Sequence, residues 1–140
     1  MDKAYYAQKL NALRLERVYA IASPRVKKYL QAEIAYVADF ISPGDRILEL
    51  GCGYGRVLQP LARIAGPGWG VDNALESLQL FRQRDPGPCL AVMDVAALAF
   101  QGHCFDLVVG VQNFISACKV SASQLLQECL RVVRPGGRIL

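Results

Sequence analysis

Residues 47–56 read Ile-Leu-Glu-Leu-Gly-Cys-Gly-Tyr-Gly-Arg, an acid at the end of a short apolar run followed by three glycines at alternate positions. Glycine has no Cβ, so a ligand can lie directly against the backbone there. The helix expected next points unpaired N–H groups at the same spot. A strand, a Gly-rich turn and a helix make a nucleotide-type cofactor site. Two acids downstream extend that chemistry. Asp72 in Gly70-Val71-Asp72-Asn73 can accept two hydrogen bonds from a ribose diol, or cap a helix starting near Ala74. Asp94 in Val92-Met93-Asp94-Val95 can accept from an exocyclic amino group while the Val95 N–H donates to a ring nitrogen, which together read an adenine edge. A local turn is the alternative for Asp94. The dinucleotide fingerprint needs glycines at 51, 53 and 56. Position 56 is Arg and the third glycine is Gly55, which counts against a dinucleotide oxidoreductase.

The elements that must carry these residues follow from periodicity. A helix over 3–21 holds Leu10, Leu13, Val18 and Ile21 on an apolar stripe. Ser23-Pro24 breaks it and starts a second helix, with Leu30, Ile34, Val37 and Ile41 at i, i+4, i+7 and i+11. From residue 43, Gly/Pro turns alternate with apolar runs. The expected order is strand 46–50, helix 54–65, strand 68–71, helix 74–84, strand 89–93, strand 105–111, helix 121–133, and a last strand from Arg138. This predicts an α/β fold with a doubly wound, mostly parallel sheet. It divides the chain into an N-terminal helical cap segment (1–42) and a Rossmann-like domain (43–140). Ligands bind outside the carboxyl ends of such strands, so the loops beginning at Gly51, Asp72, Asp94 and Val111 should carry function.

Composition narrows the class. The chain has 140 residues, 53% of them hydrophobic and 20% charged, as in one globular domain. No apolar run approaches the length of a membrane span, and Asp2, Lys3, Lys9, Arg14, Glu16 and Arg17 break any signal-peptide core. The expected location is cytoplasmic, with no membrane partner. The net charge is +4, and most of it lies in residues 1–46, where eight Lys or Arg face five acids. The cluster Arg25, Lys27, Lys28 reads as a solvated helix face or a contact for an anionic substrate. Nothing amounts to a nucleic-acid stripe. The five cysteines include no C-x-x-C pair, so neither a metal site nor a disulfide framework is expected.

The signals also have an order. Glu49-x-Gly51-x-Gly53-x-Gly55 is followed by Asp72, by Asp94-Val95, by Phe105-Asp106-Leu107-Val108-Val109, and by Leu130-Arg131-Val132-Val133-Arg134-Pro135-Gly136-Gly137-Arg138. This succession resembles motifs I to IV and the post-IV segment of the class I S-adenosylmethionine (SAM)-dependent methyltransferases, over about residues 25–140. The resemblance implies that SAM is the cofactor and S-adenosylhomocysteine the product. Glu49, Gly51, Cys52 and Gly53 would hold the methionine part, Asp72 and Asn73 the ribose, and Asp94 and Val95 the adenine. Gly110, Val111 and Gln112 would lie near the sulfonium. The first helices would form a lid, with Tyr5, Tyr6, Tyr19 and Tyr29 as candidates to face the cation or as ordinary core or surface aromatics.

The methyl group of SAM is already activated, so transfer is an in-line displacement that needs alignment and desolvation. No catalytic base is required unless the acceptor must lose a proton. His103, the single His, enters a strand and should sit away from the cofactor. Gln112, Asn113 and Ser116 leave that strand and are better placed to orient an acceptor. Val111-Gln112-Asn113-Phe114 lacks the Asn/Asp-Pro-Pro-Tyr/Phe signature of amino-group methyltransferases of DNA adenine or protein glutamine. A small-molecule acceptor is therefore expected. Family members usually have seven strands, whereas the sequence reads to a fifth. The expectation is a sheet truncated in its fifth strand, either because the sequence is a fragment or because a reduced domain borrows its edge from a partner such as a second copy. The alternative function is a non-catalytic SAM-binding or scaffold subunit.

Overall fold

The apolar runs bounded by Pro, Gly and Asp form one five-stranded sheet in the computed structural model, which describes residues 12–66, 68–112 and 114–140. The elements are α1 (Ala12–Ala20), α2 (Pro24–Ala38), β1 (Ile47–Leu50), α3 (Leu58–Ala65), β2 (Trp69–Asp72), α4 (Leu75–Arg84), β3 (Cys89–Val92), β4 (Phe105–Val109), α5 (Phe114–Ala117), α6 (Ala122–Val132) and β5 (Val133–Ile139). The strands run in the order β3-β2-β1-β4-β5 and every pairing is parallel. The chain winds outward from β1 to β3, then returns to the other side of β1 for β4 and β5. That reversal opens a crevice between the carboxyl ends of β1 and β4, where ligands bind in open α/β sheets.

Alternation along β1 divides the core. Leu48 and Leu50 face one cluster, with Val71, Val108, Phe114, Leu125 and Val132. Ile47 faces the other, with Leu58, Leu61, Phe81, Leu107 and Val37. The α2 stripe is buried as its spacing predicts: Leu30 and Val37 are buried, and Ile34 and Ile41 pack on the second cluster. Ser23 accepts from the Val26 N–H to cap α2, and Ser121 accepts from the Gln124 N–H to cap α6.

Four expectations are corrected. The helix after the glycines starts at Leu58 rather than 54, because the intervening residues form the turn. The fourth strand ends at Val109, and the short α5 follows the loop after it. The last strand starts at Val133 rather than Arg138. Phe105 pairs with Val133 and Leu107 with Arg138, so Arg134-Pro135-Gly136-Gly137 forms a bulge inside the strand rather than a turn before it. Pro135 has no N–H to give a ladder, and Gly136 takes φ 78°. The fourth concerns α1. Its expected buried stripe is exposed at Leu13, Val18 and Ile21, and Leu10 lies outside the described residues. The helix docks through its opposite side. The Ala12 N–H donates to Ser77 Oγ at 2.8 Å, and Arg84 donates to both oxygens of Glu16 at 2.6 and 3.0 Å.

Gly55 shows why the turn is glycine-rich. Its φ is 93°, and a Cβ there would stand 2.5 Å from the Phe81 ring in the second cluster. Gly44 also has φ 93° but has nothing within 4 Å of the same position. In urea unfolding, Gly55→Ala is expected to lose about 2–4 kcal/mol, strain and overpacking together, and Gly44→Ala only about 1–2 kcal/mol of strain. Equal losses would show that the Phe81 contact is not what fixes the turn.

Candidate functional site

Glu49 is the only acid among the residues of β1, a strand whose four residues are all buried, and it is 4% exposed. It shares the face of Ile47, so its carboxyl lies under the N-terminal end of α3. Burial pushes its pKa up to about 8; the Arg56 guanidinium and the Leu58 backbone N–H pull the other way, and Asp72 adds to the rise. Its Oε2 has no hydrogen-bond partner among the described residues. A buried oxygen of this kind is costly unless a ligand satisfies it.

That carboxyl borders a cavity of about 80 Å³ at the crevice between β1 and β4. Gly51, Cys52 and Gly53 from the turn and Val111 and Gln112 from the loop after β4 also line it. The turn is fastened to β2: the N–H groups of Gly51 and Cys52 both donate to the Val71 carbonyl, at 2.8 and 3.0 Å. Gly51 and Gly53 adopt φ 71° and 52°. The Cys52 side chain packs in the second cluster, and burial pushes its thiol well up, so it serves as wall rather than nucleophile.

Asp72, at the end of β2, is adjacent. The Gly53 N–H donates to Oδ2 and the Ala74 N–H to Oδ1, each at 2.8 Å. Burial raises its pKa, and the backbone donors of Ala74, Gly53 and Asn73 oppose the rise. The carboxylate thus braces the glycine turn and the start of α4 at once, and each oxygen keeps a lone pair for a further donor. Asn73 beside it is exposed. Asp94 is exposed and accepts from the Ala96 N–H at 2.9 Å, the local turn, while Val95 is buried in the first cluster. The structure therefore brings together Glu49, Gly51, Cys52, Gly53 and Val111 around one cavity with Asp72 behind the turn. It leaves Asn73, Asp94 and Val95 outside the cavity wall, at neighbouring strand ends.

Three further residues close the cavity. Tyr19 on α1 donates its hydroxyl to Gln112 Oε1 at 2.8 Å, a strap from the N-terminal segment to the loop after β4. Arg56 lies with its guanidinium carbon 5.0 Å from the Tyr19 ring centre, and also reaches the Leu30 carbonyl and Glu33. Tyr54 stands beside Tyr19, and burial pushes its phenol up to about 12. These same three residues also line a wider groove of about 300 Å³ between α1 and α2, walled by Leu30 and Ile34. The sequence flagged Tyr19 only as one of four lid candidates, and Arg56 only as a missing glycine. The useful signal is its place in the turn that directly follows a strand holding an acid. Tyr5, Tyr6 and Asn113 lie outside the described residues, and Tyr29 is exposed and lines neither cavity. His103 sits in the turn entering β4 with Nδ1 3.1 Å from the Val133 carbonyl, at the far end of the sheet. No cluster of metal-ligating side chains occurs among the described residues.

A family model described as a methyltransferase domain matches residues 47–137. The chain is 35% identical over 101 residues to phthiotriol/phenolphthiotriol dimycocerosates methyltransferase 1 of Mycobacterium ulcerans, covering 69% of this chain and 36% of that one. It is 35% identical over 107 residues to the fatty-acid O-methyltransferase of Mycolicibacterium smegmatis, covering 69% and 36%. Among solved structures, a SAM-dependent methyltransferase from Methanosarcina mazei superposes with a TM-score of 0.66 at 26% identity, covering 74% of this chain and 54% of that one. The chain spans about a third of the length of these two curated relatives.

The buried carboxyl predicts a pH signature. In the unfolded chain Glu49 titrates near its ordinary value; in the folded chain it does so at about 8. Its contribution to stability is fully present below the unfolded pKa and is lost as the pH rises from about 4.5 to about 8. Within that window the slope from this one group is at most ~1.4 kcal/mol per pH unit. Glu49→Gln, compared with wild type by denaturant unfolding at several pH values, should flatten the fall and be the more stable protein at pH 8. Parallel pH profiles for the two would refute the burial of a protonated Glu49.

Proposed function

The chain belongs to the class I SAM-dependent methyltransferases, and from that premise we propose that it binds SAM along the carboxyl ends of β1 to β4 and transfers the methyl group to a small-molecule acceptor. The observation that carries the reading is the buried Glu49 oxygen without a hydrogen-bond partner among the described residues, on a side chain that lines the cavity at the β1–β4 crevice. A cationic hydrogen-bond donor fits it, and SAM carries an ammonium group. The cavity volume suits a small head group rather than a nucleoside. The remainder of the cofactor would lie over the open strand ends, where Asp72 and Asp94 follow in order.

SAM supplies a methyl group on a positively charged sulfur, ready for displacement. The protein supplies position and exclusion of water. Glu49 would accept from the ammonium, and the backbone of Gly51 and Gly53 leaves room for close approach. Asp72 and Asn73 would take the ribose hydroxyls; the lone pairs of Asp72 left over from its two backbone donors support this. Asp94 and the Val95 N–H would take the adenine edge. Val111 and Gln112 would border the reacting centre, with Tyr19 and Arg56 shielding it under the α1–α2 segment as a lid. The groove walled by Leu30 and Ile34, which shares Tyr19 with the cavity, supports an apolar acceptor approaching from that side. The name of the Mycolicibacterium smegmatis relative supports oxygen as the accepting atom.

Titration calorimetry tests the cofactor assignment. SAM should bind saturably and NADH should not. Asp72→Ala should weaken SAM by about 1–3 kcal/mol, the worth of hydrogen bonds to a charged group. Asp72→Asn, which keeps one acceptor for the turn, should lose less. Tight NADH binding without SAM binding would overturn the reading.

A further inference from the structure

The outer face of α1 does not have the composition of a solvated surface. At ~100° per residue, Leu13, Arg14, Arg17, Val18 and Ile21 fall within an arc of roughly 140°. The inner arc carries Leu15 and Tyr19, which line the cavity, and Glu16, which pairs with Arg84. On the outer arc the three large apolar side chains are 63% (Leu13), 47% (Val18) and 78% (Ile21) exposed. The two cations between them form no ion pair among the described residues. Ile21, the most exposed of them, stands at the turn into α2. Arg25, Val26 (45% exposed) and Lys28 follow on the first turns of α2, and those cations are likewise unpaired among the described residues. The acids of this segment are turned away: Glu16 is held by Arg84 and Glu33 by Arg56, and Asp39 lies at the far end of α2.

We infer that this face, the outer arc of α1 with the α1–α2 turn, docks on an anionic lipid surface. The apolar residues would enter the headgroup boundary and the arginines would remain at the phosphates on their long stems. Charge complementarity and interleaving favour a lipid surface over other partners. A nucleic acid would use the cations but give Leu13, Val18 and Ile21 nothing to bury against. A protein interface concentrates its apolar residues in a core depleted of charge and sends the charge to a rim, whereas here cations and apolar side chains alternate on one arc. No helix among the described residues is long and apolar enough to cross a membrane, which leaves a helix lying on a surface unaffected. The expectation of no membrane partner rested on spanning segments alone. The inference does not depend on the cofactor assignment.

The test is flotation of the full chain with vesicles of phosphatidylcholine alone and with about a third phosphatidylglycerol, at low and high salt. Binding should be at least tenfold stronger to the anionic vesicles and should weaken in high salt. Arg14→Glu with Arg17→Glu should abolish it. Ile21→Asp should weaken it at least fivefold even at low salt, with an unchanged melting temperature in both variants. Absence of binding to anionic vesicles overturns the inference, and includes the case in which residues 1–11 or a second copy cover the face. So does Ile21→Asp binding as well as wild type, because adsorption would then be by charge alone.

Discussion

A carboxyl group is built into the centre of this sheet with nothing among the described residues to satisfy it fully. β1 is flanked on both sides by parallel strands and buried along its whole length, so Glu49 is 4% exposed. Its position follows from alternation: Leu48 and Leu50 must face the α6 side, which aims Glu49 at α3. The features nearest to it read as accommodations of that group. Burial pushes its pKa up and wins over the Arg56 guanidinium and the Leu58 backbone N–H, which act to lower it, so the carboxyl stays above the ordinary carboxylate range. A strand position that would be better filled by leucine for stability alone is occupied by an acid, the pattern expected where function overrides packing.

The glycine turn serves both packing and binding, through different glycines. Gly51 and Gly55 let aromatic rings from the two core clusters, Phe114 and Phe81, come up against the backbone. Gly53 meets little around its absent Cβ, and its N–H instead joins the turn to Asp72 on the neighbouring strand. One carboxylate therefore fixes the distance between the ends of β1 and β2. The strap from Tyr19 to Gln112 does the same between the N-terminal segment and β4. The crevice is held on both sides before any ligand arrives, and preorganisation of that kind reduces the ordering cost of binding.

Much of this was legible in the sequence, for physical reasons that can be named. The central strands announce themselves because a strand buried on both faces is a short apolar run between breakers, and an acid inside such a run is conspicuous. The stripe of α2 was readable because it packs on an apolar cluster. α1 was misread because periodicity identifies an apolar arc but does not say which arc docks; polar partners on α4, Ser77 and Arg84, decided that. The start of β5 was misread because Pro135-Gly136-Gly137 carries the composition of a turn, while the ladder tolerates it as a bulge. Within the site, Glu49, the glycines and Asp72 could be found locally. The Tyr19–Gln112 bond joins residues 93 positions apart, and no local signal reports such a contact.

The central claim is that Glu49 waits protonated for a cationic ligand and ionises when it arrives. The direct measurement is the pH titration of its side-chain carboxyl by ¹³C NMR, assigned with Glu49→Gln, in the free protein and with saturating SAM. The account predicts a midpoint near 8 in the free protein and a carboxylate that stays ionised well into the acid range in the complex. A midpoint that does not move on saturation with SAM, or one already at the ordinary carboxylate value in the free protein, would contradict it.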